Sequence, residues 1–479
     1  MKTPSDLLAA LRELVPEPVE IVGGGLEGQS TARFLLGAGY ERLTLRDRDP
    51  SVHVPDGCER RTGPGYLADL PERGTHAGTG THLGTGTLIR SAGIRPDLPE
   101  LARFADAGGR ILSQLHIFLG LFQGVRGGRA VGITGTFGKG TVTTFLSRML
   151  ERSGIAHAVG GNIGTPMLDL LLEEDLPGVA VLELSSFQLF DLAPVHGLAS
   201  IAPSAFSPRI GVSGRVTIEH LDWHRDQVEY WNAKARLCEE QSDSDHSVFL
   251  SQDPGSVFVG MAGSSITHPV GPGGEMEPRK DAVVDDDGKT ILSRSDMRVP
   301  GAFQLSNAAL AWTTARVLGA KDAACREAAQ AFEGLPHRLQ YAGEREGVRF
   351  FNDSYATRPE ATLAAVEALS GAPVALILGG SDKGIDFAEL SAGLRASPHL
   401  AHVALIGATA GRLRTALEAS GPLPFSVQDH PGLGEAFEDC ARAVPAGGAV
   451  LLSPACASFG LFRNYKERGE AFLALVNAT

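Results

Sequence analysis

The chain has few cysteines, and their arrangement excludes the folds that depend on them. Five occur in 479 residues, and no two are separated by only two residues. They are Cys58, Cys238, Cys325, Cys440 and Cys456. Disulfide-stapled domains and zinc ribbons both need denser, regularly spaced cysteines. We therefore expect neither a disulfide framework nor a zinc ribbon.

The sequence also lacks an excess of basic residues. Lys and Arg number 43 against 56 Asp and Glu, which gives a net charge of −13. A protein that binds nucleic acid without sequence preference needs a basic surface. We therefore expect no nucleic-acid partner, although a local basic pocket for an anionic ligand remains compatible with this charge.

Long hydrophobic runs are absent as well. No run reaches the length of about 18 apolar residues that a membrane-spanning helix requires. The first residues, MKTPSDLLAALRELVPEP, include acidic side chains and lack the apolar region of a signal peptide. We expect a cytoplasmic protein with no membrane partner.

Apolar and turn-forming residues are plentiful. Hydrophobic residues make up 43% of the chain, which also contains 59 Gly and 28 Pro. Apolar strand-like runs alternate with Gly-rich turns and helical segments, a pattern typical of parallel sheets with helical crossovers. The pattern restarts near Ala130 and again near Val348. At roughly 100–200 residues per domain, it predicts an α/β protein with domains at 1–111, 112–334 and 335–479.

The strongest single motif is a Gly-rich loop, Gly132-Ile-Thr-Gly-Thr-Phe-Gly-Lys-Gly-Thr141. It follows an apolar strand and opens an amphipathic helix, which is the setting of a phosphate-binding loop. Glycines let the backbone approach a phosphate, and Lys139 would add a full positive charge. Gly140 stands where such loops carry the hydroxyl residue that ligates Mg²⁺, and Thr141 follows one position later.

A second glycine motif, Gly23-Gly-Gly25-Leu-Glu-Gly28, follows an apolar strand near the start of the chain. Taken alone it suggests NAD or FAD, and the acidic Asp47 lies about 20 residues further on, as in dinucleotide sites. An NAD-dependent oxidoreductase is therefore one interpretation, but it does not account for the phosphate loop. The Gly/Thr-rich tract Gly74–Thr87 has the composition of a surface loop.

Further stretches follow the phosphate loop in an order that belongs to one known family. They are GNIGTP (161–166), VLELSSFQL (181–189), EHLD (219–222), YWNAK (230–234), LPHRLQ (335–340), NDSYAT (352–357), GGSDKG (379–384) and LSPACASF (452–459). With these motifs the chain resembles the Mur ligases, the ATP-dependent amino-acid-adding enzymes of peptidoglycan synthesis. The last stretch, continuing to Arg468 and Gly469, is most similar to the branch that adds D-glutamate to UDP-N-acetylmuramoyl-L-alanine.

The resemblance implies a fold and a reaction. The N-terminal domain would be Rossmann-like and bind the UDP substrate at the second glycine motif. The central domain would be P-loop ATPase-like with a parallel or mixed sheet, and the C-terminal domain Rossmann-like, binding the amino acid. ATP would phosphorylate the substrate carboxylate, and the amine of D-glutamate would displace phosphate from the acyl phosphate. A monomer is implied.

The resemblance also assigns residues to ATP, to two Mg²⁺ ions and to the chemistry. The implied catalytic residues are Lys139, Glu183, His220 and Lys234. The implied metal ligands are Thr141, Glu183, His220 and Lys234, the lysine as its carbamate. The implied ATP contacts are Gly135, Thr136, Gly138, Lys139, Gly140, Thr141, Asn307, Arg338 and Asp353.

Substrate contacts are implied in the same way. Those for the UDP substrate are Gly25, Leu26, Glu27, Asp47, Arg48, Gly93, Asn162 and Ser185. Those for D-glutamate are Thr357, Lys383, Ser458 and Tyr465, with Lys383 gripping a carboxylate. Because these ligands are anions, the cations that matter in this acidic chain must be local.

The sequence departs from the family pattern at several of these positions. Phe137 replaces the Asn of the phosphate loop, Tyr355 stands where the family has Lys, and Arg358 where it has Asn. Two alternatives therefore stay open beside the main interpretation. One is a related Mur or folylpolyglutamate-type ligase with another substrate. The other is a nucleotide-binding paralogue that Gly140 and Tyr355 leave catalytically weak.

Overall fold

The computed structural model describes residues 3–70, 86–382 and 384–478, which form a mixed α/β chain with three sheets. Its contacts divide into two compact units. The larger unit comprises Met1–Arg279, Val283–Ile291 and Ser306–Ala328, and the smaller unit Lys280–Ala282, Leu292–Leu305 and Ala329–Thr479. The division into three domains after residues 111 and 334 stays a prediction. Within the described ranges, no helix combines the length and apolar character needed to cross a bilayer.

The first sheet is built entirely of parallel strands in the order β3-β2-β1-β4-β5. The central strand β1 is buried at every position, as expected for a parallel strand covered on both faces. The strands are β1 Val19–Val22, β2 Leu43–Asp47, β3 Cys58–Thr62, β4 Thr87–Arg90 and β5 Arg110–Leu112. The helices are α1 Pro4–Leu14, α2 Leu26–Gly37 and α3 Pro99–Asp106.

The second sheet has nine strands in the order β14-β13-β12-β11-β10-β9-β6-β8-β7. It is parallel from β7 to β12 and turns antiparallel between β12 and β13. The strands are β6 Arg129–Thr134, β7 Ala158–Gly161, β8 Val179–Glu183, β9 Ile210–Ser213, β10 His246–Leu250, β11 Ile266–Val270, β12 Met276–Pro278, β13 Ala282–Asp285 and β14 Thr290–Ser293.

Helices of this central region pack through apolar stripes. In α5 the residues Val142, Phe145, Leu146 and Met149 are buried at the spacing of one helix face. The helices are α4 Gln114–Leu119, α5 Lys139–Arg152, α6 Met167–Leu170, α7 Ser186–Leu189, α8 Gln227–Ala235, α9 Pro254–Gly260, α10 Phe303–Val317 and α11 Asp322–Ala331. A π-helical segment, Gly120–Val125, and two 3₁₀ turns, Pro203–Phe206 and Arg294–Asp296, complete the set.

The third sheet has the order β15-β16-β20-β17-β18-β19 and is parallel except between β15 and β16. Its central strand β17 reads VALILG and is buried at all six positions. The strands are β15 Gln340–Arg345, β16 Val348–Asn352, β17 Val374–Gly379, β18 Leu400–Ile406, β19 Ser426–His430 and β20 Ala449–Leu452. The helices are α12 Pro359–Ala368, α13 Ala388–Arg395, α14 Ala410–Glu418, α15 Leu433–Ala443 and α16 Tyr465–Asn477.

Strand order decides where the chemistry is positioned in the larger unit. β6 lies between β8 and β9, and the three run parallel. The carboxyl ends of parallel strands meet at one edge of a sheet, where ligands of open α/β sheets bind. The Gly-rich loop follows β6, and Glu183 is the last residue of β8.

Candidate functional site

The Gly-rich loop joins β6 directly to α5. Gly135 has φ of 146° and Gly138 has φ of 83°, backbone conformations that residues with a Cβ rarely adopt. Gly138 also caps α5 without a side chain, so the helix N-terminus is left open to a ligand. Phe137 at the loop tip is 60% exposed. The geometry is that of a phosphate-binding loop.

Lys139 is folded over this loop. Its Nζ donates to the carbonyl oxygens of Gly135 at 2.9 Å and Thr136 at 3.1 Å. The loop itself is anchored, because the Thr136 N–H donates to the Arg215 carbonyl at 2.6 Å. Gly140 and Thr141 lie in the first turn of α5. The ammonium group is therefore positioned above the loop by the loop's own carbonyls.

Asn307, predicted to contact the nucleotide, is brought to the same loop. A Cβ placed on Gly138 would lie only 2.5 Å from Asn307 Oδ1, so a larger residue at position 138 would displace this side chain. Asn307 is buried in α10. The structure thus brings together two positions that the sequence predicts to contact ATP.

Glu183 is a buried carboxylate at the end of β8. Asn162 donates from Nδ2 to Glu183 Oε1 at 2.8 Å, and its backbone N–H donates to the Glu183 carbonyl at 2.8 Å. Ser185 forms a capping box with Gln188 at the start of α7. The structure therefore brings Asn162 to Glu183, whereas the described contacts of Ser185 cap a helix.

Lys234 lies in α8 with a side chain that is only 1% exposed. Its Nζ donates to Thr134 Oγ1 at 3.2 Å and to the Gly135 carbonyl at 2.9 Å. Burial, with a smaller contribution from the Lys139 cation, holds the pKa of Lys234 well below its usual value, although Glu219 and Glu183 act in the opposite direction. A buried lysine beside the phosphate loop thus favours its neutral amine form.

His220 adopts φ of 58°, a left-handed backbone conformation that is uncommon for residues other than glycine. Its Nε2 lies 3.5 Å from Glu219 Oε2, and its ring contacts Phe187 at 4.8 Å between centroids. The ring also lies 6.5 Å from that of Tyr230. Residues held in such uncommon backbone conformations cluster at functional sites.

Tyr230 is a central residue of this site that has no assignment from the sequence. Its hydroxyl lies 2.9 Å from Thr136 Oγ1, and Lys234 Nζ lies 4.8 Å from its ring centroid. Together with the His220 contact, these distances make Tyr230 the link between the loop, the buried lysine and the histidine. Only its place one turn before Lys234 in α8 could have indicated this.

The second glycine motif shapes the turn between β1 and α2. A Cβ on Gly28 would lie 1.9 Å from the Gly23 carbonyl oxygen, so the helix can approach the turn only with glycine there. A Cβ on Gly25 would meet nothing within 4 Å. Leu26, the first residue of α2, is 82% exposed, and Gly93 is exposed too. The turn therefore has an open outer face.

The acidic residues near this turn are occupied by protein contacts. Asp47 Oδ2 accepts from the Gly24 N–H at 2.6 Å, and Oδ1 accepts from the Asp49 N–H at 2.7 Å. Glu27 accepts from Gln188 Nε2 at 2.7 Å and from the Ala92 N–H at 3.0 Å. Arg48 is exposed. Asp47 and Glu27 thus hold the turn in shape, while Arg48 is directed to solvent.

Arg338 and Asp353, predicted to contact ATP, belong to the smaller unit. The guanidinium carbon of Arg338 lies 3.9 Å from the ring centroid of Tyr355. Asp353 is buried and accepts from Ser453 Oγ at 2.7 Å and from the Leu339 N–H at 3.0 Å. Burial raises the pKa of Asp353 to about 7 against the opposing effect of these donors.

Three of the four residues predicted for D-glutamate line one pocket of about 790 Å³ in the smaller unit: Thr357, Ser458 and Tyr465. The fourth, Lys383, lies outside the described residues, as do residues 74–85 of the Gly/Thr tract. The structure thus brings together three side chains from separate parts of the chain, and their contact with D-glutamate stays a prediction.

Arg358 lines the same pocket and was not assigned to it from the sequence. Among the lining residues that the structure describes it is the one cation, and it faces a pocket that also has Glu360, Asp386 and Glu389 in its wall. No ion pair or hydrogen bond of its side chain occurs with the described part of the chain. An arginine in this state is available to a carboxylate ligand.

Arg468 positions the segments that form this pocket. The fully buried guanidinium donates from Nε to Ser354 Oγ at 3.0 Å, from Nη2 to the Ser354 carbonyl at 2.8 Å and from Nη1 to the Cys456 carbonyl at 3.1 Å. Ser354 Oγ in turn donates to the Tyr465 carbonyl at 2.8 Å. Burial lowers the pKa of Arg468 to about 10. Its role in positioning was not predicted.

Two family models match the chain in this order. The Mur ligase middle domain matches residues 133–315, which include Lys139, Glu183 and Lys234. The glutamate ligase domain of the Mur ligases matches residues 337–456.

Curated relatives cover nearly the whole chain. A UDP-N-acetylmuramoylalanine–D-glutamate ligase of Symbiobacterium thermophilum is 32% identical over 96% of this chain and 98% of its own. Ligases of the same name from Solibacter usitatus, 34% identical over 81% of this chain and 84% of theirs, and Saccharophagus degradans, 32% identical over 96% and 97%, also match.

Solved structures with the same fold are more distant in sequence. UDP-N-acetylmuramate–alanine ligase of Thermotoga maritima gives a TM-score of 0.55 at 16% identity, covering 95% of this chain and 98% of that one. A UDP-N-acetylmuramoyl-L-alanyl-D-glutamate–2,6-diaminopimelate ligase gives 0.58 at 16% identity, covering 82% and 93%. At this identity the likeness concerns the fold alone.

The matched Mur ligase domains and the ligase names of the relatives show an ATP-dependent ligase that forms amide bonds. The chain belongs to the Mur ligase family, and its curated relatives carry the name of the D-glutamate-adding member. The α/β fold class, the family and the enzyme class predicted from the sequence are confirmed.

Proposed function

We propose that the protein joins D-glutamate to UDP-N-acetylmuramoyl-L-alanine with conversion of ATP to ADP and phosphate, a step of peptidoglycan precursor synthesis. The observation that carries the proposal is one cluster: the Gly-rich loop with Lys139, and beside it the buried Lys234. The name shared by the curated relatives supplies the substrates.

The reaction has two steps. The terminal phosphoryl group of ATP passes to the alanine carboxylate, which gives ADP and an acyl phosphate. The amine of D-glutamate then attacks the acyl carbon, the bond to phosphate breaks, and the nitrogen releases a proton to solvent as the amide forms. The loop amides, the N-terminus of α5 and Lys139 offset charge on the transferred phosphoryl group, and Asn307 would contact the adenine.

The residues near the loop fit Mg²⁺. Glu183 is a buried carboxylate, and a buried anion is unfavourable without a partner of opposite charge. Thr141, His220 and the carbamate of Lys234 would complete the ligands, and two ions are proposed. When bound, Mg²⁺ would neutralise phosphate charge and orient the phosphoryl group.

Lys234 fits this environment as its carbamate. The buried neutral amine attacks CO₂, a C–N bond forms, and one proton leaves to solvent, so the side chain becomes an anion. A lysine retained as an ammonium ion would instead add a second cation beside Lys139. The lowered pKa of Lys234 therefore favours the modification.

For the UDP substrate we propose the open turn after β1. The N-terminus of α2 and the exposed Leu26 lie at this turn, and Arg48 and Gly93 are exposed near it. Asp47 and Glu27 shape the turn through backbone contacts. Phosphates bind at such helix N-termini because the unpaired amides and the helix dipole favour anions. Asn162 and Ser185 would contact the substrate near its reacting end.

For D-glutamate we propose the pocket that contains Thr357, Arg358, Ser458 and Tyr465. The hydroxyl groups and the guanidinium would bind the two carboxylates, with Lys383 as an additional cation. Arg358 would thus supply the positive charge that the family's Lys supplies at position 355, where this chain has Tyr. Arg338 and Asp353 would contact ATP. We further propose that the protein acts as a cytoplasmic monomer without nucleic-acid or membrane partners.

The test is a reconstitution. Purified protein is given UDP-N-acetylmuramoyl-L-alanine, D-glutamate, ATP and Mg²⁺, and both phosphate release and product mass are measured. We expect phosphate and the D-glutamyl product in equal amounts, and neither when one substrate is left out. The Solibacter usitatus relative, assayed in parallel, controls the reagents.

Two results would contradict the proposal. Turnover with another amino acid in place of D-glutamate would indicate a related ligase of different specificity. Binding of ATP or of the UDP substrate without turnover, measured by calorimetry, would indicate an inactive paralogue.

A further inference from the structure

Three side chains of types that can ligate metals converge in the smaller unit, and none of them lines the pocket described above. His402 lies on β18, His430 ends β19, and Asp439 lies on α15. Their potential ligand atoms lie within 4.8 Å of one another. The Nε2 atoms of His402 and His430 are 3.0 and 2.8 Å from the same Asp439 Oδ2.

The orientation of His402 leaves a nitrogen aimed into this cluster. Its Nδ1 lies 2.8 Å from Ser426 Oγ, a contact that fixes the ring. Its Nε2 is buried and has no hydrogen-bond partner of acceptable angle among the described residues, although Asp439 Oδ2 is close. Metal-bound histidines are oriented in this way, by a hydrogen bond at the nitrogen that does not bind the metal.

The backbone that carries the cluster is well fixed. β18 and β19 pair in parallel from His402–Ser426 to Ile406–His430, and α15 packs on them through a core that includes Ala404, Ile406 and Phe437. His402 is 6% exposed at its side chain, whereas Asp439 is 27% exposed. The ligand set is thus held by three elements and is open on the side of the carboxylate.

We propose that His402, His430 and Asp439 bind one divalent transition-metal ion such as Zn²⁺, with water as a fourth ligand. Two imidazoles and a carboxylate form a ligand set that suits this class of metal better than Mg²⁺ or Ca²⁺. Ligands at about 2.0–2.2 Å from a tetrahedral ion lie about 3.4 Å apart. The two Nε2–Oδ2 distances of 2.8 and 3.0 Å are slightly shorter than this, so a small outward movement of the side chains would admit the ion. The ion would connect α15 with β18 and β19, the outer strands of the third sheet.

The test is metal binding by the full-length chain. Protein stripped with a chelator is dialysed against Zn²⁺ in excess Mg²⁺, and bound zinc is counted. We expect one zinc per chain, lost or weakened at least about 100-fold in His430→Gln and Asp439→Asn. The Glu183→Gln variant should keep this zinc, because its change affects only the site proposed for Mg²⁺.

A matched control separates this cluster from ordinary histidine pairs. His268 lies 3.0 Å from His246 and 3.1 Å from Glu275, so His268→Gln removes a comparable histidine contact elsewhere. We expect it to leave zinc binding unchanged. Loss of zinc in His268→Gln or Glu183→Gln, with retention in Asp439→Asn, would overturn the proposal.

X-ray absorption at the zinc edge of the wild-type protein gives a test that does not depend on folding of the variants. Two imidazole ligands and oxygen are expected. A sulfur ligand, or no stoichiometric zinc at all, would leave a hydrogen-bonded His–Asp–His contact and refute the metal site. None of these outcomes depends on ligase activity, so the proposed function is tested separately.

Discussion

At the scale of single residues, the environment of Lys234 connects burial with chemistry. The side chain is buried beside another lysine, and a protonated amine there would be desolvated and repelled. We expect the wild-type protein incubated with ¹³C-bicarbonate to show a carbamate signal by NMR, and Lys234→Arg to lack it. Activity of Lys234→Arg should fall at least about 100-fold, since arginine stays cationic.

Lys321, an exposed lysine, provides the control for this change. Lys321→Arg should keep both the carbamate signal and the activity. An active Lys234→Arg enzyme, or a wild-type protein with no carbamate signal, would show that the buried amine is used in another way.

Arg358 is expected to act on one kinetic parameter. Removing a charge-assisted contact to a carboxylate costs about 1.5–3 kcal/mol, which is about 10- to 150-fold. Arg358→Ala should therefore raise KM for D-glutamate by that factor and leave KM for ATP unchanged. Arg358→Lys keeps the charge but not the planar group, so its KM for D-glutamate should lie between those of the wild type and Arg358→Ala. An unchanged KM for D-glutamate in Arg358→Ala would exclude the residue from this pocket's function.

Asp353 gives a prediction for pH. Its pKa is about 7 in the folded chain and about 3.9 when unfolded, so the folded state binds the proton more tightly. The stabilising contribution of this bound proton is complete below a pH of about 4 and is lost as the pH rises through 7. The free energy of unfolding of the wild type, compared with that of Asp353→Asn at the same pH, should therefore fall by at most about 4 kcal/mol as the pH rises through this range.

Denaturant unfolding at pH 4, 5, 6 and 8 measures this difference. Asp243→Asn, at an exposed position, should parallel wild type at every pH. Parallel curves for wild type and Asp353→Asn would mean that the buried carboxyl group titrates at its ordinary pKa.

Some residues of the candidate sites can be identified from the sequence, and others cannot. Lys139 and Glu183 could be selected from local pattern, because a Gly-rich turn before a helix and a lone acid in an apolar strand are both unusual. Tyr230 and Arg468 could not, because each acts by contacting segments far away in the chain. Their residue types alone predict only burial of a ring and an exposed charge.

At the scale of elements, the loop and α5 act as one anion-binding unit. Lys139→Ala removes the charge that the loop positions and should lower kcat by about 100- to 1,000-fold. Arg148→Ala, on the same helix but exposed, should leave kcat unchanged and alter stability by less than about 0.5 kcal/mol. Steady-state kinetics of both variants checks this expectation, and equal loss in both would indicate general damage to the helix.

The strands that could be predicted were those buried on both faces. Val374–Leu378, Val403–Ile406 and the strand at Ala449 lie inside observed strands, because continuous apolar runs have few other stable placements. The π-helical segment Gly120–Val125 had no such signal. A Cβ on Gly124 would lie 2.9 Å from Ile201, so this segment is shaped by a distant residue.

At the scale of the molecule, a buried ion pair joins distant segments of the larger unit. Arg90 is the last residue of β4, is 1% exposed at its side chain, and pairs at 2.5 Å with Asp191, which lies two residues after α7. Arg90→Ala would leave Asp191 without its partner and should destabilise the protein by about 3 kcal/mol. Denaturant unfolding monitored by circular dichroism measures it.

Arg33 provides the matched comparison. It pairs with Asp169 at 2.8 Å but is 52% exposed, so Arg33→Ala should cost less than about 1 kcal/mol. Equal losses for the two variants would mean that burial does not determine the value of these pairs.

The sequence by itself determined the α/β class, the phosphate loop and the family, because these depend on local patterns of apolar residues, glycines and charges. Tertiary structure decided the rest. It placed Lys234 in a dry site beside Lys139, put Arg358 into the pocket with Thr357 and Ser458, and brought two histidines to one carboxylate. Burial and electrostatic environment depend on residues that are far apart in sequence, so no local pattern encodes them.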